Sequence, residues 1–557
     1  MTLQVRWLGS VPYAEALDLQ RALHGTSPAD HLLLLEHTHV YTLGVRADLA
    51  NVLVRPADVG AELVRADRGG DVTYHGPGQL VGYPILTLPG KRGGGMADTV
   101  EYVTAVEQLL IDALAELGLP GAGRLDRYPG VWVDPDGDRP RKIAAIGVRL
   151  TRGRTMHGFA LNVAPDLDMF GHIVPCGIDD KPVTSLAAEG LDVEMRQVVD
   201  VVSRLAGERW GGGAIERHDV VWKHRASDLS PFSRGRGSGE VVKDHGAGNV
   251  RLTGRLAQAG VTEGLQIATR KPEWLRVKAK MGSEYLQLKR VMRDLDLRTV
   301  CEEASCPNIF ECWEDGTATF MINGERCTRA CGFCDVDTRR PEPLDPDEPE
   351  RVAEAVSRMG LAHAVVTAVA RDDLDDGGAA AFAETIHAIR RRTPGAKVEV
   401  LIPDFRGDAD QLRIVLDARP DVLNHNVESV PRLQRAVRPS AGYARSLAVL
   451  ARGAAAGLVT KTSIIVGMGE TDDEVLATLT DLRGVGCDIV TIGQYLRPTT
   501  NHLPVHRWVE PAAFERFRAH GMDVLGIPHV ESGPLTRSSY HARESAERAT
   551  SPSAATA

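Results

Sequence analysis

The sequence predicts a two-domain α/β protein, and three observations lead there. The 557 residues exceed what one hydrophobic core usually organises. Short apolar strands alternate with amphipathic helices on both sides of the middle of the chain, the pattern of sheets covered by helices. Between about Ser227 and Thr262 that pattern lapses into a stretch rich in Gly, Ser and charge that includes SDLSPFSRGRGSGEVVKDHGAGNVRLTG. Such a stretch reads as a flexible linker. It sets expected boundaries of 1–226 for the first domain, 227–262 for the linker and 263–545 for the second domain, with a small, polar, disordered tail at 546–557.

In the first domain, LQVRWLG puts Leu3, Val5 and Trp7 on one face of a strand, and a helix follows from about Pro12 to His24. HLLLLE reads as a buried strand. Val103, Val106, Leu110, Leu114 and Leu117 mark a long helix by their three-and-four spacing. Strands VWV at Val131 and IAAIGVRL at Ile143 come next, then a helix near Met195 to Trp210. The second domain is more regular. Strands near His363, Lys397, Asp421, Val459 and Cys487 alternate with helices near Ala379–Arg392, Asp408–Asp417, Gly442–Ala456 and Asp472–Arg483. Five or six such units imply parallel pairing and a complete or partial barrel, with functional residues at the carboxyl ends of the strands.

Composition narrows the function classes. Hydrophobic content of 43% and charged content of 25% fit an ordinary soluble globular protein. A formal net charge of -10 argues against a nucleic-acid binder driven by phosphate neutralisation. No apolar run reaches membrane-span length, and no secretory leader pattern opens the sequence, so a reducing cytoplasm is the expected compartment.

Six of the eight cysteines fall between Cys301 and Cys334, as two triplets. Cys301, Cys306 and Cys312 lie in CEEASCPNIFEC, and Cys327, Cys331 and Cys334 in CTRACGFC. A disulfide framework belongs to small secreted proteins, so metal ligation is the better reading. Three thiolates leave one coordination position open, as a reactive iron–sulfur cluster needs; structural zinc, which wants four protein ligands, is the alternative. Cys487 opens an apolar strand and reads as a core thiol.

In the first domain four patches stand out: RGGDVTYHGPGQ from Arg68, RKIAAIG from Arg141, HGFALN from His157 and PCGI from Pro175. Cys176, the domain's single cysteine, sits in a tight PCG turn. A nearby cation or base would make it a nucleophile, with Lys142 the first candidate and His75 the second. A buried thiol, a solvated strand-edge lysine and a hydrogen-bonded turn histidine are the bland alternatives. Arg139, Arg141, Lys142, Arg149, Arg152 and Arg154 form a basic run that can steer an acidic carrier protein, or simply be solvated.

These four patches, together with the PYAEALDLQ opening and EHTHVYTLG from Glu36, resemble the lipoyl(octanoyl) transferases over roughly residues 1–225. The resemblance implies a biotin/lipoate ligase-like α/β domain. It further implies that Cys176 takes an octanoyl group from acyl carrier protein as a thioester, with Lys142 as acid/base. The acceptors are lysines of lipoyl carrier domains, those of 2-oxoacid dehydrogenase complexes and the glycine cleavage H protein. By the same resemblance Arg68, Gly69, Gly70, Asp71, Val72, Thr73, Tyr74, His75, Ala145, Ile146, Gly147, Gly158, Phe159 and Ala160 line the acyl pocket.

CTRACGFC has the CxxxCxxC spacing of radical S-adenosylmethionine enzymes. With CEEASCPNIFECW before it and TAVARDDLDDGGA, LNHNVES, VGMGETDDE, GQYLRPTTNHLPV and RSSYHA after it, the chain resembles lipoyl synthase along nearly all of residues 270–545. That implies a partial (β/α)6 radical SAM barrel and two [4Fe–4S] clusters. Cys327, Cys331 and Cys334 hold the one that binds S-adenosyl-L-methionine, with an electron donor such as flavodoxin or ferredoxin. Cys301, Cys306 and Cys312 hold an auxiliary cluster, completed by Ser539, with Ser538 as the alternative, and supply two sulfurs to octanoyl carbons 6 and 8. Gly467, Gly469 and Glu470 of VGMGE are the candidates to meet the adenosylmethionine. Joined, the halves imply bifunctional assembly of protein-bound lipoyl groups. A ligase-like acyl domain on a different sulfur inserter, or a scaffold with one inactive half, are the other readings.

Overall fold

The computed structural model describes residues 2–90, 97–178, 180–222, 247–276, 283–295, 297–299, 308–309 and 317–550. The chain divides into two compact units, Met1–Trp222 and Lys223–Ala557.

The first unit runs β1 (Leu3–Val11), α1 (Tyr13–Thr26), β2 (His31–His37), β3 (Val40–Leu43), β4 (Glu62–Arg65), β5 (Val72–His75), β6 (Gln79–Ile85), α2 (Thr99–Glu116), β7 (Ala122–Leu125), β8 (Tyr128–Val133), β9 (Arg141–Thr151), β10 (Arg154–Asn162), α3 (Met195–Trp210) and β11 (Ile215–Asp219). An eight-stranded sheet has the order β11-β1-β2-β6-β10-β9-β8-β7, and a three-stranded sheet the order β4-β3-β5. Asp98 starts α2 by accepting hydrogen bonds from the Val100 and Glu101 amides. Val106, Leu110 and Leu114 of α2 and Val198, Val202 and Ala206 of α3 form one buried cluster with Leu3, Val5 and Trp7, as their spacing predicts. The antiparallel pairs β6–β10 and β9–β10 leave the chemistry-bearing patches side by side on the sheet.

The second unit begins with α4 (Ala247–Gln258) and α5 (Ser283–Asp294), then β12 (Arg298–Thr299), β13 (Thr317–Ile322), α6 (Glu348–Arg358), β14 (His363–Ala368), α7 (Ala379–Arg392), β15 (Lys397–Leu401), α8 (Ala409–Asp417), β16 (Val422–Asn424) and α9 (Gln434–Val437). It continues with α10 (Tyr443–Ala455), β17 (Val459–Val466), α11 (Asp472–Gly484), β18 (Ile489–Gln494), α12 (Pro511–Ala519), β19 (His529–Gly533) and α13 (Ala542–Thr550). The sheet order is β12 through β19 in sequence; β13 to β19 are all parallel and β12 is antiparallel to β13. Six helical crossovers therefore join seven parallel strands, one strand beyond a strict (β/α)6 count. Among the described residues no pairing joins β19 back to β12 or β13, so the barrel is partial.

Two expectations at the domain edges need correction. Helix α4 lies inside the stretch expected to be linker, because Leu252, Leu256 and Ala259 repeat at helical spacing between glycines that hide the pattern. Leu256, Ala259 and Val261 are buried, and Arg432 donates to the Ala259 carbonyl, so this end of the stretch belongs to the second unit. Helix α13 runs to Thr550 and takes in the start of the expected tail; residues 551–557 lie outside the described residues.

Candidate active sites

In the first unit a cavity of about 470 Å³ opens between β5, β9 and β10. Arg68, Gly69, Gly70, Thr73, His75, Ala145, Ile146, Gly147, Gly158, Phe159 and Ala160 all line it. Asp71, Val72 and Tyr74 do not. Strand alternation explains two of them: Thr73 and His75 face the cavity, while Val72 and Tyr74 face the opposite side and join a core cluster with Tyr41 and Phe170. The Asp71 carboxylate instead accepts from the Asn51 side chain at 2.6 Å. Tyr13, Val81, Tyr83 and His157 complete the lining and were not anticipated, although His157 opens one of the quoted patches.

The wall is polar but uncharged on its histidine side. His37 Nδ1 faces the Val11 carbonyl at 2.7 Å and must donate to it, so Nε2 accepts from the Tyr83 hydroxyl, also at 2.7 Å. Burial pushes His37 down to about 4. His75 Nδ1 donates to Gln79 Oε1 at 2.7 Å; burial, with His37 nearby, holds its imidazole well below the usual range. His157 Nε2 donates to Asp67 at 2.7 Å, and burial lowers this ring too. Arg68 reaches across to Thr42, donating to its carbonyl at 2.6 Å and its hydroxyl at 2.8 Å. Gly78 carries the turn into β6 at φ +84°, where a Cβ would stand 2.2 Å from the Ala164 carbonyl oxygen.

A second cavity, about 290 Å³, shares Thr73, Ala145 and Ala160 with the first. Lys142 and Pro175 line it together. Lys142 is 8% exposed, with Nζ 5.2 Å from the centroid of the Trp132 ring. Its backbone is fixed by bonds from its amide to the Pro182 carbonyl and from the Thr184 amide to its own carbonyl, both 2.9 Å. Cys176 stands in the short turn Pro175–Gly177, tied to Asn51 through the Val174 amide at 2.8 Å; its side chain lies outside what is described. The turn bearing Cys176 and the side chain of Lys142 thus meet at one cavity that adjoins the larger one. Within the basic run, Arg141 pairs with Glu189 at 2.8 Å, Arg149 with Asp67, and Arg154 donates to the Ala29 carbonyl, so three of those charges already have partners.

In the second unit Cys327, Cys331 and Cys334 are free and half-buried on the loop after β13, at the carboxyl end of the parallel strands. The loop is pinned on several sides. The Cys327 amide donates to the Asp337 carbonyl at 2.8 Å, Thr328 donates twice to the Ala370 carbonyl, and the Gly332 amide donates to Val437 at 2.8 Å. His502 Nε2 donates to the Cys334 carbonyl at 3.0 Å. Burial pushes the Cys334 thiol up to about 12, and Cys331 and Cys327 add to the rise. Burial disfavours Cys331 and Cys334 as separate anions, and three cysteines on one fixed loop fit a soft polynuclear cation that neutralises thiolates together.

Cys301, Cys306 and Cys312 lie outside the described residues. Between them Asn308 is described, and its side chain donates to the Leu535 carbonyl at 2.7 Å, just ahead of Ser538 and Ser539 in the turn after β19. Gly467, Gly469 and Glu470 receive packing roles. Glu470 is buried and its two oxygens accept from the Gly467 amide at 2.6 Å and the Met468 amide at 3.0 Å. A Cβ on Gly467 would meet the Gln494 side chain, and one on Gly469 would meet Val261. Cys487 is 1% exposed, as a core thiol should be.

Residues 12–205 match the lipoyl protein ligase A/B catalytic domain, 249–306 the N-terminal domain of lipoyl synthase of the radical SAM family, and 321–482 the radical SAM superfamily. The lipoyl synthase of Kineococcus radiotolerans is 57% identical over 273 residues, which are 49% of this chain and 82% of that protein. That of Rubrobacter xylanophilus is 57% identical over 281 residues, 50% of this chain and 87% of that protein. A bi-partite lipoate protein ligase structure from Thermoplasma acidophilum, 17% identical, covers 40% of this chain and 89% of its own with a TM-score of 0.33, too slight a likeness to bear an argument. The radical SAM lipoyl synthases use S-adenosylmethionine and two [4Fe–4S] clusters, and lipoyl-domain proteins are the substrates that lipoyl synthase and the ligase-type domain imply. The chain belongs to the lipoyl synthase family, carrying a lipoyl protein ligase A/B-type catalytic domain ahead of the radical SAM domain.

Proposed function

We propose that the first unit moves an octanoyl group from acyl carrier protein to a lipoyl-domain lysine, and that the second inserts two sulfurs into that group at carbons 6 and 8, in the cytoplasm. The observation that carries the first step is the adjoining pair of cavities: one brings Lys142 to the turn of Cys176, and the other runs on along β9 and β10. The Cys176 thiolate attacks the carrier thioester and expels the carrier thiol. The lysine amine of the lipoyl domain then attacks the Cys176 thioester, forming the amide and returning the thiol. Lys142 holds and delivers the proton in both halves. Each half exchanges one acyl bond for another of similar or lower energy, so the transfer needs no ATP. His75, kept neutral by burial, serves better as a hydrogen-bonding wall than as the acid/base.

For the second step, the cluster on Cys327, Cys331 and Cys334 with S-adenosylmethionine, reduced by a flavodoxin- or ferredoxin-type donor, supplies the radical needed to break unactivated C–H bonds. The chain's own part is to fix those thiols on a pinned loop. Ser539 is assigned to the auxiliary cluster with Cys301, Cys306 and Cys312, supported by the Asn308–Leu535 hydrogen bond that ties the triplet's segment to the serine turn.

Incubation of the protein with octanoyl acyl carrier protein, followed by mass spectrometry of the Cys176 peptide, is expected to show an octanoyl adduct. Cys176→Ala should show none, and Lys142→Ala should slow transfer by about 10²–10⁴-fold. Transfer from free octanoate that requires ATP and leaves Cys176 unmodified would instead establish the ligase reading.

A further inference from the structure

The cysteine loop carries one side chain whose surroundings exceed what anchoring a loop requires. Arg329 stands between Cys327 and Cys331, and its side chain is 7% exposed. It grips Asp372 with two hydrogen bonds, Nε to Oδ2 and Nη2 to Oδ1, both 2.7 Å. Its third nitrogen, Nη1, meets the fully buried Asp404 at 2.6 Å. Asp372 follows β14 and Asp404 follows β15, so a residue on the loop after β13 is bolted to the carboxyl ends of the next two strands. The Arg329 amide also donates to the Cys327 sulfur at 3.4 Å. Cys331 lies where Arg438 and Arg329 are the nearby cations and Glu428 the nearby anion.

A bidentate arginine holds a carboxylate in one plane, which a lysine does not reproduce. Burial makes the arrangement stiff and its charges felt at distance. Charges and N–H donors around sulfur ligands are what a protein uses to set an iron–sulfur potential, since a fixed positive charge favours the added electron and a fixed negative charge opposes it.

We propose that Arg329 is a positioning residue of the radical SAM cysteine loop: gripped by Asp372 and Asp404, it fixes the backbone from Cys327 to Cys331 against β14 and β15 and sets the electrostatic field at the cluster those thiols hold. The proposal rests on the cluster that the family carries and is independent of the acyl-transfer reading.

The test uses the full chain with both clusters reconstituted anaerobically. The reduced protein is followed by electron paramagnetic resonance, and the signal that changes on adding S-adenosylmethionine is titrated against potential. Arg329→Met keeps the side-chain bulk and removes the charge; the midpoint should move negative, with altered g values. Asp372→Asn removes one anion while leaving Arg329 on Asp404; the midpoint should move positive. Arg329→Lys should return the sign of the wild-type field without its g values. A loop held merely for stability would lower iron content in both variants and leave the potential of whatever cluster remains unchanged, or move both the same way; either result overturns the proposal. If Arg329→Met assembles no S-adenosylmethionine-responsive cluster, Asp372→Asn and Asp404→Asn decide it: a positive shift supports the field, and an unmoved potential sinks it.

Discussion

Two buried ionisable residues show how each unit responds to pH. His37 has both ring nitrogens committed, one donating to Val11 and one accepting from Tyr83, and burial holds it down to about 4. The unfolded chain takes up a proton near pH 6.5, the folded chain only near 4. Stability of the first unit should therefore fall as pH drops through that window, by roughly 3 kcal/mol at most from this residue. Thermal unfolding of wild type and His37→Gln between pH 7 and 4 is the check; the variant should show the shallower slope. In the second unit Glu399 is fully buried, with Lys461 at 3.0 Å, Asn424 donating at 2.9 Å and His363 at 3.4 Å. Burial alone would raise its pKa, but Lys461 and these neighbours bring it to about 2. Its contribution is present above the ordinary glutamate range and is lost only as pH falls toward 2. Glu399→Gln leaves Lys461 buried without its carboxylate, and should destabilise the second unit by about 3–5 kcal/mol in a urea titration.

Among the elements, legibility followed local pattern. Helices α2 and α3 and strands β14 to β18 were readable because their apolar residues repeat at a period set by the element itself. Strand β13 was not read: TATFMI is buried on both faces, so its threonines blur the alternation, and it sits between two cysteine triplets that draw attention to chemistry. Helix α4 was hidden by its glycines. At the site, most of the lining of the first unit's larger described cavity could be named because it sits in contiguous patches, whereas Tyr13 and Tyr83 reach it from α1 and β6, across the fold. Asp71, Val72 and Tyr74 fell out for the opposite reason, since a contiguous patch on a strand necessarily sends alternate side chains away. Gly78 connects this sheet geometry to the site. Gly78→Ala forces a side chain into φ +84° and within 2.2 Å of the Ala164 carbonyl oxygen. The strain should cost about 1–3 kcal/mol and displace β6, whose Gln79 braces His75. Unfolding measured beside octanoyl transfer should show both losses together, whereas Ala at the open Gly60, also left-handed, should leave transfer intact.

At the scale of the whole molecule, the proposed function puts on one chain two catalytic units that act in turn on a lipoyl-domain protein, with the Gly- and Ser-rich sequence 227–246 between them. A tether raises the local concentration of whatever one unit has just bound near the other, to the millimolar range for short flexible linkers. That advantage matters when free carrier is scarce. It vanishes when carrier is abundant, because each unit is then saturated from solution. Channelling is not required, since an octanoylated lipoyl domain can leave and return. Cutting the chain within 227–246 at an introduced protease site, after both clusters are loaded, preserves each unit while abolishing the tether. The fused and cut proteins should form lipoyl groups at equal rates at high lipoyl-domain concentration, and the cut protein should lag at low concentration with octanoylated intermediate accumulating in solution. Equal flux at both concentrations would mean that the two units share a chain without sharing a substrate in time, leaving coordinated expression as the reason for their fusion.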